Sequence, residues 1–414
     1  MTPTETHDLV VIGAGPAGMA AAISAKRAGI NDVLVLERDE VAGGVLNQCI
    51  HDGFGLVLFE TSLSGPEFAE ELIEDMKKEE IQVLTSAMVI NITGDRIIRV
   101  NTEDGYRIIN ARAIIMAMGC RERTREALGI PGSRPAGIYS AGCAQNLVNL
   151  QNLKIGRDIL ILGSGDIGLI MARRLSIEGM NVLGVHEVMP YCGGLERNLR
   201  HCLNDFGIPL HLSSTVVSIH GEDRLEHVVV ADVDKNRKPI PGTEQTIKCD
   251  TLLLSVGLIP ENELSKNAGI DIDPASGGAV VSEQFMTSVP GIFACGNVLH
   301  IHDIADYASI EGTQVGEAVA AFILQKLPGK PFFHVEAGEG IRYCIPQKIA
   351  HGTSNAELSV RVQLPGTDVK IVAEGLSTGK TFNEYRIEEA SPSIELKVQL
   401  NGPFNENIRI RSYV

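Results

Sequence analysis

No two of the eight cysteines, at 49, 120, 143, 192, 202, 249, 295 and 344, are separated by only two or three residues. That spacing excludes the CxxC motifs of zinc sites, iron–sulfur clusters and dithiol relays, so no metal is expected and most of the thiols should be packed in a reducing compartment. Apolar runs are equally short. None approaches the roughly 20 residues that span a bilayer. The N-terminal stretch enters an apolar strand at Leu9 without the basic segment and small-residue cleavage site of a signal peptide. A cytoplasmic protein with no integral membrane segment is the expectation. Positive charge is in deficit, with 36 Lys+Arg against 52 Asp+Glu and a formal net charge of −16. Nucleic acid and anionic membranes would be repelled by that average field, and small anionic ligands would need local helpers such as helix N-termini. At 414 residues, 44% of them hydrophobic, the chain can supply two or three domains with separate cores.

A long-period repeat organises the chain. Leu9-Val10-Val11-Ile12-Gly13-Ala14-Gly15-Pro16-Ala17-Gly18 runs a buried strand into a glycine-rich turn, followed by an alanine-rich helix that stops near Gly29 and a strand that ends on Glu37. Ile159-Leu160-Ile161-Leu162-Gly163-Ser164-Gly165-Asp166-Ile167-Gly168 does the same, with a helix stop near Gly179 and a strand that ends on Glu187. An offset of 150 carries each glycine and the acid of the first copy onto the second. One GxGxxG is weak evidence in a chain with 43 glycines, but two copies, each with an acid 24 positions after the first glycine, are strong evidence. The first glycine permits the turn, the second lets the backbone approach a pyrophosphate, and the third brings helix and strand together. The helix N-terminus offers N–H groups and a positive dipole end to phosphates. Glu37 and Glu187 stand where a carboxylate accepts from adenosine ribose hydroxyls. Such a carboxylate at Glu187 would repel a 2′-phosphate and favour NAD(H) over NADP(H), with His186 and Arg197 as the nearby groups that weigh the other way.

The remaining pattern fits around the repeat. A polar helix is expected over 66–80, with strands over 81–84, 89–92, 97–100 and 106–109, and a buried strand from Ala113 into Gly119. Strands over 216–219 and 227–231 and an apolar run from Thr251 into Gly257 follow the second motif. A helix is expected from about Ala308 to Gln325. Beyond Pro328 the period becomes 2, with strands over 342–345, 358–363, 369–373, 385–388, 394–400 and 408–413, which predicts a separate antiparallel β domain.

These motifs, with the AIIMAMG run into Gly119, the LLLSVG run into Gly257 and the SVPGIFACGN segment around Gly296 and Asn297, resemble the pyridine nucleotide-disulfide oxidoreductase superfamily. The resemblance covers about 330 residues. It implies an α/β fold with two Rossmann-like domains: an FAD domain in two pieces, 1–120 and 251–330, split by an inserted NAD(H) domain at 121–250, and then a C-terminal β domain at 331–414. It places FAD on Gly13, Gly15, Pro16, Ala17, Gly18, Glu37, Arg38, Gly44, Val89 and Gly119, with Gly296, Asn297, Tyr307 and Ala308 on the flavin side. It places NAD(H) on Gly163, Gly165, Asp166, Ile167, Gly168 and Glu187, and counts Gly257 among the cofactor-binding residues. The helix starting near Asp306 resembles one whose N-terminus points at the flavin, although Tyr307 also reads as an ordinary aromatic at a helix start. Within the superfamily the stretches from Gly43 to Gly55 and from Gly119 to Arg123 resemble the alpha chains of sarcosine oxidase, opine oxidase, hydrogen cyanide synthase and dye-linked proline dehydrogenase. They resemble still more the FAD/NAD-binding subunit that accompanies anaerobic glycerol-3-phosphate dehydrogenase.

Departures from the family pattern set the functional expectation. Disulfide reductases carry a cysteine pair just after the two glycines that follow the ribose-binding acid, Gly43-Gly44 here, where Val45 to Cys49 supplies one thiol. Thioredoxin reductases carry a pair before the central motif, where Cys143-Ala144-Gln145-Asn146 again supplies one. The family's last flavin-side aspartate is Asn297 here. Hydride transfer between stacked cofactors needs position and electrostatics from the protein more than an acid or base. The favoured expectation is therefore an FAD-dependent NAD(P)H oxidoreductase acting as a subunit, with a second flavoprotein dehydrogenase, by resemblance of glycerol-3-phosphate type, and a small cysteine-rich protein as partners. A self-sufficient NADH oxidase or peroxidase using Cys49, and a non-catalytic flavin-binding sensor, are the alternatives. His51, His300 and His302 are polar candidates near the same segments, more simply read as surface or core histidines.

Overall fold

The computed structural model describes residues 4–326 and 331–413, so the expected boundary at 330 lies outside the described residues. Two compact units divide the chain: one runs to Cys120 and resumes at Pro260, and the other is Arg121–Ile259.

In the first unit the strand Thr4–Ile12 lies between Val33–Leu36 and Gly105–Met116, parallel to both, and Gln82–Leu84 and Ile292–Ala294 extend the parallel sheet on either side. Ile97–Thr102 and Met88–Ile92 continue it as an antiparallel ribbon. The parallel strands are Val/Ile/Leu-rich and buried, as strands covered on both faces must be. The expected strands over 106–109 and 113–118 are one strand, Gly105–Met116. Arg112, whose polarity suggests a break, stands on the exposed side of that strand and pairs with Asp8 at 2.9 Å.

The second unit repeats this order. Asp158–Leu162 lies between Asn181–His186 and Thr251–Leu254, with Leu210–His211 and Ile138–Ser140 at the edges, all parallel. A three-stranded antiparallel sheet, Ser214–Gly221, Leu225–Asp232 and Gln245–Lys248, accompanies it. The expected boundary at 250 therefore moves to 259, because Thr251–Leu254 is hydrogen-bonded into this sheet beside the motif strand.

The C-terminal strands form two sheets around one apolar core that includes Val335, Leu358, Ile371, Val398, Phe404 and Ile410. Two expectations change here. Phe332–Ala337 and Lys348–Ala350, unforeseen in the sequence, are strands, and the first pairs parallel with Ile408–Tyr413, so the region is not wholly antiparallel. Nor is it separate, since it clusters with the first unit. Gln347 exchanges hydrogen bonds with Val281, Arg361 is ion-paired with Asp303, and Tyr343 and Ile345 enter the core beside Leu299.

Within the first unit the motif helix Pro16–Arg27 packs on Ala305–Ile323 through small residues. A side chain on Gly312 would fall on the carbonyl of Ala17, and one on Gly316 on the carbonyl of Ala21, while Ser24 Oγ donates to Thr313 O at 2.8 Å. Gly312→Val should therefore destabilise the fold by about 3 kcal/mol, at the upper end of overpacking effects. Denaturant unfolding of the purified variant measures this, and an unchanged midpoint would mean that the helices do not approach as described.

Candidate functional site

Each motif builds the same cradle. Gly13 and Gly163 adopt φ of +102° and +100°, and a side chain at either would strike the carbonyl of Ala117 or Ser255, each two residues before the glycine that follows its strand, Gly119 or Gly257. A Cβ on Gly18 would overlap Gly13 O, and one on Gly168 would lie 2.7 Å from Gly163 O. These four positions fix the turn and the helix against the sheet. Gly15 differs, because nothing lies within 4 Å of the position its Cβ would take. It is the N-cap of Pro16–Arg27, has no side-chain capping bond, and Pro16 sits in the first turn. Helix N–H groups and a positive dipole end thus face open space beside the missing side chain, which fits a pyrophosphate.

The acids close each cradle from below. Glu37 is buried, accepts from Ala14 N at 2.7 Å and Asp39 N at 2.9 Å, and so ties the turn to the end of its strand. Glu187 repeats this with Ser164 N at 2.9 Å and Met189 N at 2.8 Å, and takes a further bond from Ser164 Oγ at 2.7 Å. Each carboxylate oxygen retains lone-pair capacity for a ribose hydroxyl. His186 is buried with Nδ1 2.8 Å from Ser214 Oγ and its ring stacked on His211. Burial and the His211 ring push its pKa down to about 4, so it is neutral at pH 7 and supplies no charge for a 2′-phosphate. Arg197 and Arg38 are exposed. Val89 packs its side chain into the core beside the bond from Ala87 N to Glu37 O.

Gly44 joins the first cradle, where a Cβ would stand 3.2 Å from Gly15 Cα, and Gly43 N donates to Ala14 O at 2.8 Å. The same offset of 150 leads to Gly193 and Gly194. Gly193 N donates to Ser164 Oγ at 2.8 Å, and Asp166 Oδ1 accepts from Leu195 N at 2.9 Å and Asn198 Nδ2 at 2.6 Å. This second glycine pair was legible in the repeat yet absent from the expected set. Asp166 holds that loop with its side chain, and Ile167 is half-buried beside it.

The late segment reaches the first cradle as well. A Cβ on Gly296 would lie 2.7 Å from Ala17 Cβ, and Gly296 N donates to Glu311 Oε1 at 2.7 Å. Asn297 Nδ2 donates to Cys120 Sγ at 3.6 Å, and its Oδ1 accepts from His302 N at 3.0 Å. Asp306, in the first turn of Ala305–Ile323, is fully buried and accepts from Gly55, Val57 and Leu58 N–H groups at 3.1, 2.9 and 3.0 Å. The dipole end expected to serve a ligand is thus partly neutralised by its own aspartate, which instead fastens the 55–58 loop. Tyr307 is half-buried and Ala308 buried.

Cys49 changes character. Its thiol is buried, Sγ donates to Val45 O at 3.3 Å, and burial pushes its pKa up to about 12. A thiol held in that form offers little thiolate at neutral pH. The His51 ring lies tilted against Phe54 with centroids 5.2 Å apart, while His300 and His302 are buried in a charged cluster with Glu311.

Comparison with known proteins covers most of the chain. Residues 7–320 match the family described as pyridine nucleotide-disulphide oxidoreductase, so the C-terminal sheets lie beyond the match. Hydrogen cyanide synthase subunit HcnB of Pseudomonas aeruginosa is 26% identical over 357 residues, 80% of this chain and 74% of that protein. An opine oxidase subunit of Agrobacterium tumefaciens is 23% identical over 336 residues, 76% of this chain and 64% of that protein. The crystal structure of T. acidophilum thioredoxin reductase superposes with a TM-score of 0.63 at 25% identity, over 78% of this chain and all of the other. No helix among the described residues is long and apolar enough to cross a membrane.

Proposed function

Since the chain belongs to the pyridine nucleotide-disulphide oxidoreductase family and is an FAD-dependent NAD(P)H oxidoreductase, we propose that it is an electron-transfer subunit of a larger dehydrogenase. It exchanges a hydride between NAD(H) and FAD, and the second redox partner is another protein chain. The observation that carries this is Cys49. Where the disulfide reductases carry a cysteine pair, this chain has one thiol, buried and held protonated. A dithiol exit for electrons is missing at that place.

In this proposal the flavin cofactor supplies the hydride chemistry, and the chain supplies position and electrostatics. Gly13, Gly15, Gly18, Gly44 and the start of Pro16–Arg27 hold the FAD pyrophosphate, with Glu37 on the ribose. Gly163, Gly165, Gly168 and Glu187, together with Gly193 and Gly194, do the same for NAD(H). Gly296 and Asn297 fix the far part of the first cofactor. Two of the relatives are named as subunits, of hydrogen cyanide synthase and of opine oxidase, which supports a shared assembly. The proposed partner is a flavoprotein dehydrogenase, with glycerol 3-phosphate as the first donor to test and a small cysteine-rich protein as a further component.

Anaerobic titration of the purified protein with NADH should bleach the flavin stoichiometrically, while turnover with oxygen stays slow. Co-purification from the native host should then restore NAD⁺ reduction by the partner's substrate. Turnover with oxygen or peroxide by the chain alone at tens per second would defeat the subunit proposal, since such a rate is typical of a finished enzyme. No bleaching by NADH or NADPH would leave a flavin-binding sensor. Cys49→Ser should alter flavin reduction by less than about threefold, a barrier change of less than about 0.7 kcal/mol. Stopped-flow reduction traces for the two proteins provide the comparison.

A further inference from the structure

Behind the segment that carries Gly296 lies a cluster that the hydride chemistry does not use. One donor atom from each of the buried residues His300, His302 and Glu395 lies within 4.8 Å of the others. Glu395 immediately precedes the C-terminal strand Leu396–Asn401 and is anchored by its own N–H on Asp303 Oδ2 at 2.6 Å. The cluster therefore joins the C-terminal sheets to the residues following Asn297.

The hydrogen-bond pattern around the two rings determines which nitrogens are available. His300 Nε2 lies 2.8 Å from Glu311 Oε2, and its Nδ1, fully buried, has no hydrogen-bond partner. His302 Nδ1 lies 3.3 Å from Asn297 Oδ1, whose amide is oriented by the bond from its Nδ2 to Cys120, and His302 Nε2 again has no hydrogen-bond partner. In the tautomers that donate from His300 Nε2 to Glu311 and from His302 Nδ1 to Asn297, the unprotonated nitrogens are the two without a hydrogen bond, His300 Nδ1 and His302 Nε2. That is the pattern of a metal-ligating imidazole, in which an outer acceptor fixes the tautomer and raises ligand basicity. Glu395 Oε2 has no hydrogen-bond partner either, while Oε1 lies 2.6 Å from Lys397 Nζ. Burying such groups unpartnered costs free energy that a bound cation would offset.

We propose that His300 Nδ1, His302 Nε2 and the Glu395 carboxylate bind one first-row divalent transition-metal ion, of zinc or ferrous-iron class, which clips the C-terminal sheets to the Asn297 segment. Two imidazoles and a carboxylate are a donor set for such ions and a poor one for calcium or magnesium. Charge points the same way. Glu311 and Glu395 bring two negative charges and Lys397 one positive, so the cluster lacks a cation that either a metal or a proton on His302 could supply. His302 Nε2 lies 3.4 Å from Glu311 Oε2, the contact such a proton would use. The two occupants are mutually exclusive at that nitrogen, and Lys397 stays in the outer layer in either case.

Full-length wild-type protein, expressed in media supplemented with zinc, iron or manganese and purified without chelator, should contain about one ion per chain by elemental analysis. Glu395→Gln and His300→Gln should each lower that occupancy at least about tenfold. Thermal unfolding of wild type should shift downward after chelation and return with the metal salt alone. Flavin content and circular dichroism identify variants that fail to fold. If His300→Gln fails, the Glu395→Gln and wild-type measurements decide alone. Wild type with less than about a tenth of an ion per chain under every supplement, or Glu395→Gln with undiminished occupancy, overturns the proposal and leaves the proton on His302 as the missing cation.

Discussion

Gly15→Val is expected to yield a folded protein that retains no flavin, whereas Gly18→Val should not fold. Both replace a glycine of one motif with the same side chain, and the difference lies in where the Cβ would go. At Gly18 it would overlap the carbonyl of Gly13 inside the turn, and neither backbone can yield without moving helix and strand apart. At Gly15 it would enter space with no heavy atom within 4 Å, at a φ of −77° that valine adopts without strain. Only a ligand needs that space. Losing close backbone approach to a pyrophosphate should weaken FAD binding by at least about 100-fold, or roughly 2.7 kcal/mol. The visible flavin spectrum after reconstitution, read beside circular dichroism, separates the cases. FAD retained by Gly15→Val would place the pyrophosphate elsewhere. FMN recovered from the wild type would contradict the role of Glu37.

The second large effect concerns the nicotinamide cofactor. Wild type should be reduced by NADH in preference to NADPH by about 10- to 100-fold, the equivalent of one charged hydrogen-bond contact of about 1.5–3 kcal/mol. Glu187 is the source, since its carboxylate is buried under the second cradle and the neighbouring His186 is neutral. Glu187→Gln keeps the shape but removes the charge, and should narrow the preference by about tenfold, mostly through tighter NADPH binding. Reduction rates across a concentration series of each nucleotide give both numbers. Equal efficiency of NADPH with the wild type would sink the assignment.

Much of the fold and of both cradles was legible because periodicity and glycine spacing are local signals. The two strand–turn–helix units, their acids and the strands that end on Gly119 and Gly257 all stand in the sequence. What escaped depends on partners far along the chain. Whether 251–254 belongs to the first or second sheet is a question of pairing, and only its register with Asp158–Leu162 answers it. The short strands Phe332–Ala337 and Lys348–Ala350 carry little alternation, and their pairing defines them. The burial of Cys49 is likewise not legible, because sequence gives neighbours along the chain without packing. The role of Asp306 in fastening a loop is not legible because that loop, Gly55 to Leu58, lies some 250 residues earlier. Gly193 and Gly194 are the instructive omission, since the offset that revealed the repeat also points to them.

The strand Ile292–Ala294, paired with Gly105–Met116 from the far side of an entire unit, bears on how the polypeptide emerges from the ribosome. Residues 121–259 are contiguous and contain every strand of their own sheet, so they can fold as soon as they clear the exit tunnel. The earlier segment cannot. Its sheet stays incomplete, with the edge of Gly105–Met116 uncovered at Ile114–Met116, until position 294 has been made. At about 5–20 residues per second that delay is on the order of 10 to 35 s. During that interval the chain exposes an apolar strand edge of the kind chaperones bind. The sheet that carries the first cradle is thus complete only after a strand made more than 170 residues later than its neighbour has been added.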